Sequence, residues 1–149
     1  MRENIGLYRG KRTDNKEWVE GYLFRDIDLE VCMIQGFNYY YDEDGLQREY
    51  FSVDVIPETV CECMEVSDIN ARLFFEGDIF IQSKSTGDDK IPRVIMRTGL
   101  EFKCPFIKEH WAWGRSCLDF SYLYKSDKGD LEIIGNVYDN PELMNDLKT

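Results

Sequence analysis

His110 is the single histidine of this 149-residue chain, so any Ser–His or Cys–His nucleophilic pair has to use it. Its setting, EHWAW (109–113), is an aromatic stretch between polar residues and suits packing better than proton transfer. Cys61 and Cys63 form a CxC, half of a zinc site, but Cys32, Cys104, Cys117 and His110 supply no second pair at ligand spacing. They read as structural, buried or merely surface thiols. DEDG (42–45) and SDIN (67–70) have the acidic look of calcium loops, yet neither alternates oxygen ligands up to a bidentate glutamate at the twelfth place. With 29 Asp and Glu in the chain, carboxylate pairs arise by chance and none is singled out as an acid/base couple. Gly6, Gly10, Gly21, Gly36, Gly45 and Gly77 stand singly, not as GxGxxG or GxxxxGK, so no phosphate cradle is written. No catalytic residue, cofactor or metal is expected, and the chain reads as a non-enzyme.

Two groups remain that could bind without reacting. YRGKR (8–12) is the only basic cluster, and Arg9, Lys11 and Arg12 could meet an acidic partner, a phosphate or the acidic middle of their own chain. Trp111 and Trp113 alternate beside His110, so in an extended segment both rings point the same way. Exposed, they make a protein-binding anchor; buried, they are core.

The formal charge of −11 belongs to one segment: residues 26–76 hold 13 acids against Arg48 and Arg72, while the flanks, at +2 and −2, cancel. Such a surface repels nucleic acid and anionic membranes, because both are gripped by Lys and Arg. It serves solubility, or suits a partner with a basic face, such as a protein that normally binds nucleic acid. The apolar runs fall far short of the roughly 20 residues that cross a bilayer. Five cysteines, an odd and irregular set with no secretory leader before them, point to a reducing cytoplasm.

The elements that would position these groups are mostly strands. EWVEGYLF (17–24) is aromatic and β-branched around Gly21, and EVCMIQGFNYYY (30–41), the YDEDG turn (41–45) and REYFSVDVI (48–56) read as a hairpin. In its second strand Phe51, Val53 and Val55 share one face, and Tyr50, Ser52 and Asp54 the other. Pro57 ends that strand, and a helical turn is expected within 57–65. Gly77 and Asp78 make a tight turn into a strand at Ile79–Ile81; RVIMR (93–97), LEFKCPFI (100–107) and CLDFSYLY (117–124) are further strands. In LEFKCPFI the alternation sets Leu100, Phe102, Cys104 and Phe106 on one face. LEIIGNVYD (131–139) alternates with Gly135 leaving a gap in its face, and NPEL starts a helix of about two turns with Asn140 as cap and Pro141 at the first position. One unit over 1–149 is expected, with 83–90 the place to divide it if it divides.

YRGKRTDNKEWVEGYL, IPETV, FEGDIF and LEIIGNVYDNPEL occur in the order and approximate spacing of the YopX family, encoded mainly by bacteriophages and prophages, and the chain resembles that family over nearly its whole length. The resemblance implies a mostly β protein with a barrel-like component, so the fold expected is β-rich α+β, with barrel-like or highly curved antiparallel sheets and the short C-terminal helix read above. In the family an Asp-x-Asn-Gly turn precedes the EGD turn; here Asn70 is followed by Ala71, which puts that positive-φ turn in question. The recurrent residues look architectural: Gly10, Gly21, Gly77 and Gly135 as backbone requirements, Trp18 and Tyr22 as core aromatics, Asp78 as a turn cap, Asn136 and Asn140 as turn or capping groups. The expected function is that of a non-enzymatic phage or prophage accessory protein contacting another protein or copies of itself. The alternative is a nucleic-acid-related regulator, binding through 8–12 or mimicking nucleic acid with 26–76.

Overall fold

Aromatic and β-branched runs separated by Gly, Pro and Asp favour strands throughout. The computed structural model describes residues 7–82, 92–105, 107, 118–126 and 130–144, and is accordingly mostly antiparallel β with two short helices. The chain divides into two units, 1–63 and 64–149, the boundary falling inside a strand after Cys63. The segment 83–90 lies outside the described residues.

In the first unit β1 (Leu7–Lys11), β2 (Trp18–Asp26), β3 (Val31–Asp42) and β4 (Gly45–Asp54) follow one another as a meander. The pairs Gly10↔Val19, Leu23↔Ile34 and Ile34↔Val53 fix its register. Directly paired residues share a face, so Val19, Leu23, Cys32, Ile34, Phe51 and Val53 form one apolar side, packed with Tyr8, Val55 and Val60. The sheet curls until its first and last strands meet: Arg12 bridges Val55, the Ile56 N–H donates to the Lys11 carbonyl (2.8 Å) and the Thr13 N–H to the Asp54 carbonyl (3.1 Å). The expected barrel-like curvature holds. Gly21 permits it, since a Cβ there would stand 2.4 Å from the Gln35 carbonyl oxygen and 2.9 Å from Ile34 Cγ2.

Pro57–Thr59 forms a single 3₁₀ turn, whose Thr59 hydroxyl donates to the Ile56 carbonyl (2.7 Å) and accepts from the Lys11 N–H (2.9 Å). From Cys61 the chain is already extended, in β5 (Cys61–Ser67), which begins beside β1 with Arg9↔Cys61.

In the second unit β5 continues beside β6 (Leu73–Phe75). A three-stranded sheet sets β7 (Asp78–Gln82) between β8 (Arg93–Val94) and a later strand, β12 (Leu131–Asn136). A third joins β9 (Met96–Thr98), β10 (Glu101–Cys104) and β11 (Leu118–Asp119). Phe74, Phe80 and Phe120 meet edge to face, with centroids 5.1–6.0 Å apart, at the centre of a core that includes Ile95, Cys104, Leu123, Leu131 and Ile133. The turn at Gly77 (φ 88°) and Asp78 forms as expected, the buried Asp78 carboxylate accepting from the Phe75 N–H (2.8 Å).

Two strand expectations change. CLDFSYLY is strand only at 118–119; α1 (Phe120–Ser126) follows, because Phe120, Leu123 and Tyr124 also fit the spacing of one helix face and it is that face which meets the core. Leu100 does not share the face of Phe102 and Cys104. It stands 94% exposed in a turn after Gly99 (φ 66°), while residue 106 lies outside the described residues.

At the C-terminus α2 (Pro141–Met144) begins at Pro141 as expected. Asn140, however, points its side chain backwards: its Oδ1 accepts from the Asn136 N–H (3.1 Å) instead of from a helical N–H. Gly135 makes room for it, since a Cβ there would lie 2.4 Å from that oxygen. Asn136 Oδ1 accepts in turn from the N–H groups of Tyr138 (3.0 Å) and Asp139 (2.9 Å).

Candidate functional site

β2 pairs with β3 from Asp26↔Val31 only as far as Tyr22↔Gln35. From Gly36 outward β3 runs with β4 through Asp42↔Gly45, so residues 37–50 form a two-stranded arm beyond the part of the sheet shared with β2. The YDEDG turn at its tip is the one read from the sequence, with Gly45 at φ 101° and the Asp42 carboxylate accepting from the Asp44 N–H (2.8 Å).

The arm is amphipathic in an unusual sense. The pairs Phe37↔Tyr50, Tyr39↔Arg48 and Tyr41↔Leu46 share one face, while Asn38↔Glu49, Tyr40↔Gln47 and Asp42 lie on the other. Continued onto the body of the sheet, the first face includes Tyr22 and Phe24 of β2, beside Gln35 and Met33. This is the side opposite the curled sheet's apolar interior. It nevertheless carries six aromatic rings and Leu46, from 43% (Phe37) to 81% (Tyr41) exposed. Phe37 lies edge-on to Tyr50 at 5.8 Å between centroids, and the Arg48 guanidinium sits 4.8 Å above the Phe37 ring. These contacts rigidify the band. Taking about 200 Å² for a large side chain, those exposures leave roughly 800 Å² of apolar surface facing solvent. The largest patch on a typical monomer is about 300–600 Å².

Two of the cations of the basic cluster share the outer face of the sheet with the band. Arg9 and Lys11, on β1, lie over the Trp18 ring of β2 at 4.6 and 5.3 Å, which the register Lys11↔Trp18 and Arg9↔Glu20 brings about. Arg12 grips Asp14 with both Nε (3.0 Å) and Nη2 (2.8 Å), and that hydrogen bond raises the Arg12 pKa and lowers that of Asp14. Trp18 is half-buried under the two cations, and Tyr22, expected in the core, is 53% exposed on the aromatic band. Trp18, Val19, Glu20, Phe37, Asn38 and Phe51 line an open cleft of about 400 Å³ where the arm leaves β2. The remaining expected contact residues, His110, Trp111 and Trp113, lie outside the described residues.

Groups that looked like chemistry serve the backbone. The Asp68 carboxylate of SDIN, fully buried, accepts from the N–H groups of Asn70 (2.9 Å), Arg72 (3.0 Å) and Ile133 (2.9 Å), with Arg72 Nη2 3.5 Å away. Burial works to raise its pKa, but these three donors and the Arg72 charge outweigh it and hold the carboxyl below its ordinary value. Cys32, Cys61, Cys63 and Cys104 are buried thiols, and desolvation pushes that of Cys32 upward. Among the described residues no group of three His, Cys, Asp or Glu is placed to hold a metal ion, and no helix is long and apolar enough to cross a membrane.

The band was missed by sequence reasoning although its signal was present. Tyr39 and Tyr41, Tyr50, and Tyr22 and Phe24 occupy the alternate positions of strands whose other alternate positions already hold Leu23, Ile34, Phe51 and Val53. Apolar residues on both faces of 30–41 fit a central strand or a long bent one kinked at Gly36 equally well, so alternation alone does not say which face is covered.

A curled antiparallel sheet bearing a two-stranded aromatic arm defines a β-rich protein. Residues 7–145 match the family described as YopX protein, and the chain belongs to that family. Among solved structures, protein EF1440 from Enterococcus faecalis is similar, with a TM-score of 0.55 and 20% identity over 92% of this chain and 96% of that one. At that identity the likeness concerns the fold alone. No curated protein matches the chain.

Proposed function

We propose that this chain is a non-enzymatic accessory protein of a bacteriophage or prophage that acts in the bacterial cytoplasm by contacting another protein or copies of itself. The aromatic band of β2, β3 and β4 is its contact surface. The phage setting rests on the family, whose members are encoded mainly by phages and prophages. The single observation that carries the contact reading is the band itself: rigid aromatics, an Arg stacked among them and about 800 Å² of apolar surface, the composition of interface hot spots. A nucleic-acid reading draws less support. Single strands are held by aromatics set in a positive groove, whereas Arg48 is the only cation on the arm, beside Asp42, Glu43, Asp44 and Glu49; Arg9 and Lys11, on the same face of the sheet, are stacked on Trp18 beside Glu20, and Arg12 is paired with Asp14.

Photo-crosslinking residues placed at Tyr41 or Leu46, on the band, and at Asn38 or Gln47, on the opposite face, test this in cells. Protein adducts from the band positions alone are expected. Adducts equal on both faces, or none at the band, refute the reading.

A further inference from the structure

We propose that the band is covered by a second copy of this chain, the two curled sheets packing face to face about a two-fold axis that lies in the interface and crosses the strands at the level of Tyr50 and Ser52. This rests on the reading of the band as a contact surface and names its occupant. Three observations carry it. The first is area: roughly 800 Å² is what each partner buries in a stable interface, so the band is the right size to be closed by one equal surface. The second is the partition of charge. Beyond Gly36 the carboxylates Asp42 and Glu49 sit on the opposite face, leaving Arg48 as the one charge among the arm's aromatics. Such a face suits another apolar sheet at about 10 Å better than a phosphate backbone.

The third is self-complementarity. Along β4 the band face reads Leu46, Arg48, Tyr50, Ser52, Asp54, with Arg48 and Asp54 six residues, or about 20 Å, apart on either side of the proposed axis. The axis reverses strand direction, so the row of Tyr39 and Arg48 in one copy lies over the row of Phe24, Met33 and Asp54 in the other. Each Arg48 then stands opposite the other copy's Asp54. The row of Phe37 and Tyr50 lies over that of Tyr22, Gln35 and Ser52. Residue i meets j and j meets i, as an isologous interface requires.

The chemistry also fixes a salt signature. Two chains of −11 repel each other while the interface is mainly apolar, so salt tightens the dimer by screening. A complex with a basic partner would loosen instead. Sedimentation of the full chain over a dilution series, from about 0.05 to about 0.5 M NaCl, is expected to show a dimer that strengthens with salt. Tyr41→Glu and Leu46→Lys each weaken it at least about tenfold, while Tyr40→Glu, on the opposite face, leaves it unchanged. Arg48→Asp and Asp54→Arg each weaken it, and combining them restores it. Circular dichroism confirms that each variant is folded. A dimer indifferent to Tyr41→Glu and Leu46→Lys, one that salt loosens, or charge swaps that fail to recover one another overturn the proposal. A monomer whose band positions crosslink to a different protein overturns the second copy and leaves the contact reading standing; a monomer without adducts ends both.

Discussion

Replacing Asp68 by Asn is a sharp test of the idea that the acidic motifs serve architecture. The substitution keeps the side-chain volume and one carbonyl oxygen, which can go on accepting from the N–H groups of Asn70 and Arg72. It converts the other oxygen, now 2.9 Å from the Ile133 N–H, into a donor. That leaves one buried N–H facing another, a loss of about 1–3 kcal/mol. The Arg72 guanidinium, 54% exposed and 3.5 Å from the carboxylate, loses its counter-ion, which costs under about 1 kcal/mol at such exposure. Asp68→Asn should therefore destabilise by about 1–4 kcal/mol at pH 7, and Asp68→Ala by more, since all three donors are orphaned. Urea unfolding followed by tryptophan fluorescence and circular dichroism reads this as a lower midpoint at unchanged slope. The folded pKa of Asp68 is depressed, so its contribution is fully present above the unfolded value of about 3.9 and is lost as the pH falls through the folded value. The gap between wild type and Asp68→Asn should accordingly persist from pH 7 to about pH 5 and narrow below about pH 4. An Asp68→Asn protein within about 0.5 kcal/mol of wild type at pH 7, or a gap that widens in acid, refutes the clamp.

Gly21→Ala should cost about 1–3 kcal/mol or abolish folding, because the added carbon meets the Gln35 backbone carbonyl, not a yielding side chain; thermal unfolding decides it. Ala71 adopts φ 62°, the left-handed turn the family's glycine would supply, so Ala71→Gly should stabilise by about 0.5–1 kcal/mol, read as a raised urea midpoint. Asn140→Ala removes the acceptor of the Asn136 N–H and should cost about 1–2 kcal/mol, with faster hydrogen exchange at that amide.

The local devices were legible because each depends on a few neighbouring residues. The 42–45 turn at Gly45, the Gly77–Asp78 turn with its capping carboxylate and the Pro141 helix start are all set by short-range geometry. Ala71 shows the limit: propensity argued against positive φ, and the Asp68 clamp imposes it, with the Ala71 N–H on the Asp68 carbonyl (3.0 Å) and the Arg72 N–H on its carboxylate. Asn140 was legible as a capping group but not in its direction, which depends on the missing Cβ of Gly135 across a turn.

Sequence by itself determined the β class, the hairpin of 30–56, the glycines that let strands approach, the placing of the charge and the family. Those follow from side-chain type and spacing along the chain. Which face of a strand is covered does not, because alternation yields two faces and only the registers Tyr22↔Gln35 and Phe37↔Tyr50, with the curl that turns Ile34, Phe51 and Val55 inward, decide that the remaining aromatics stand outside. The same holds for Arg9 and Lys11: a basic cluster in sequence becomes a pair of cations stacked on Trp18 only once β1 lies beside β2.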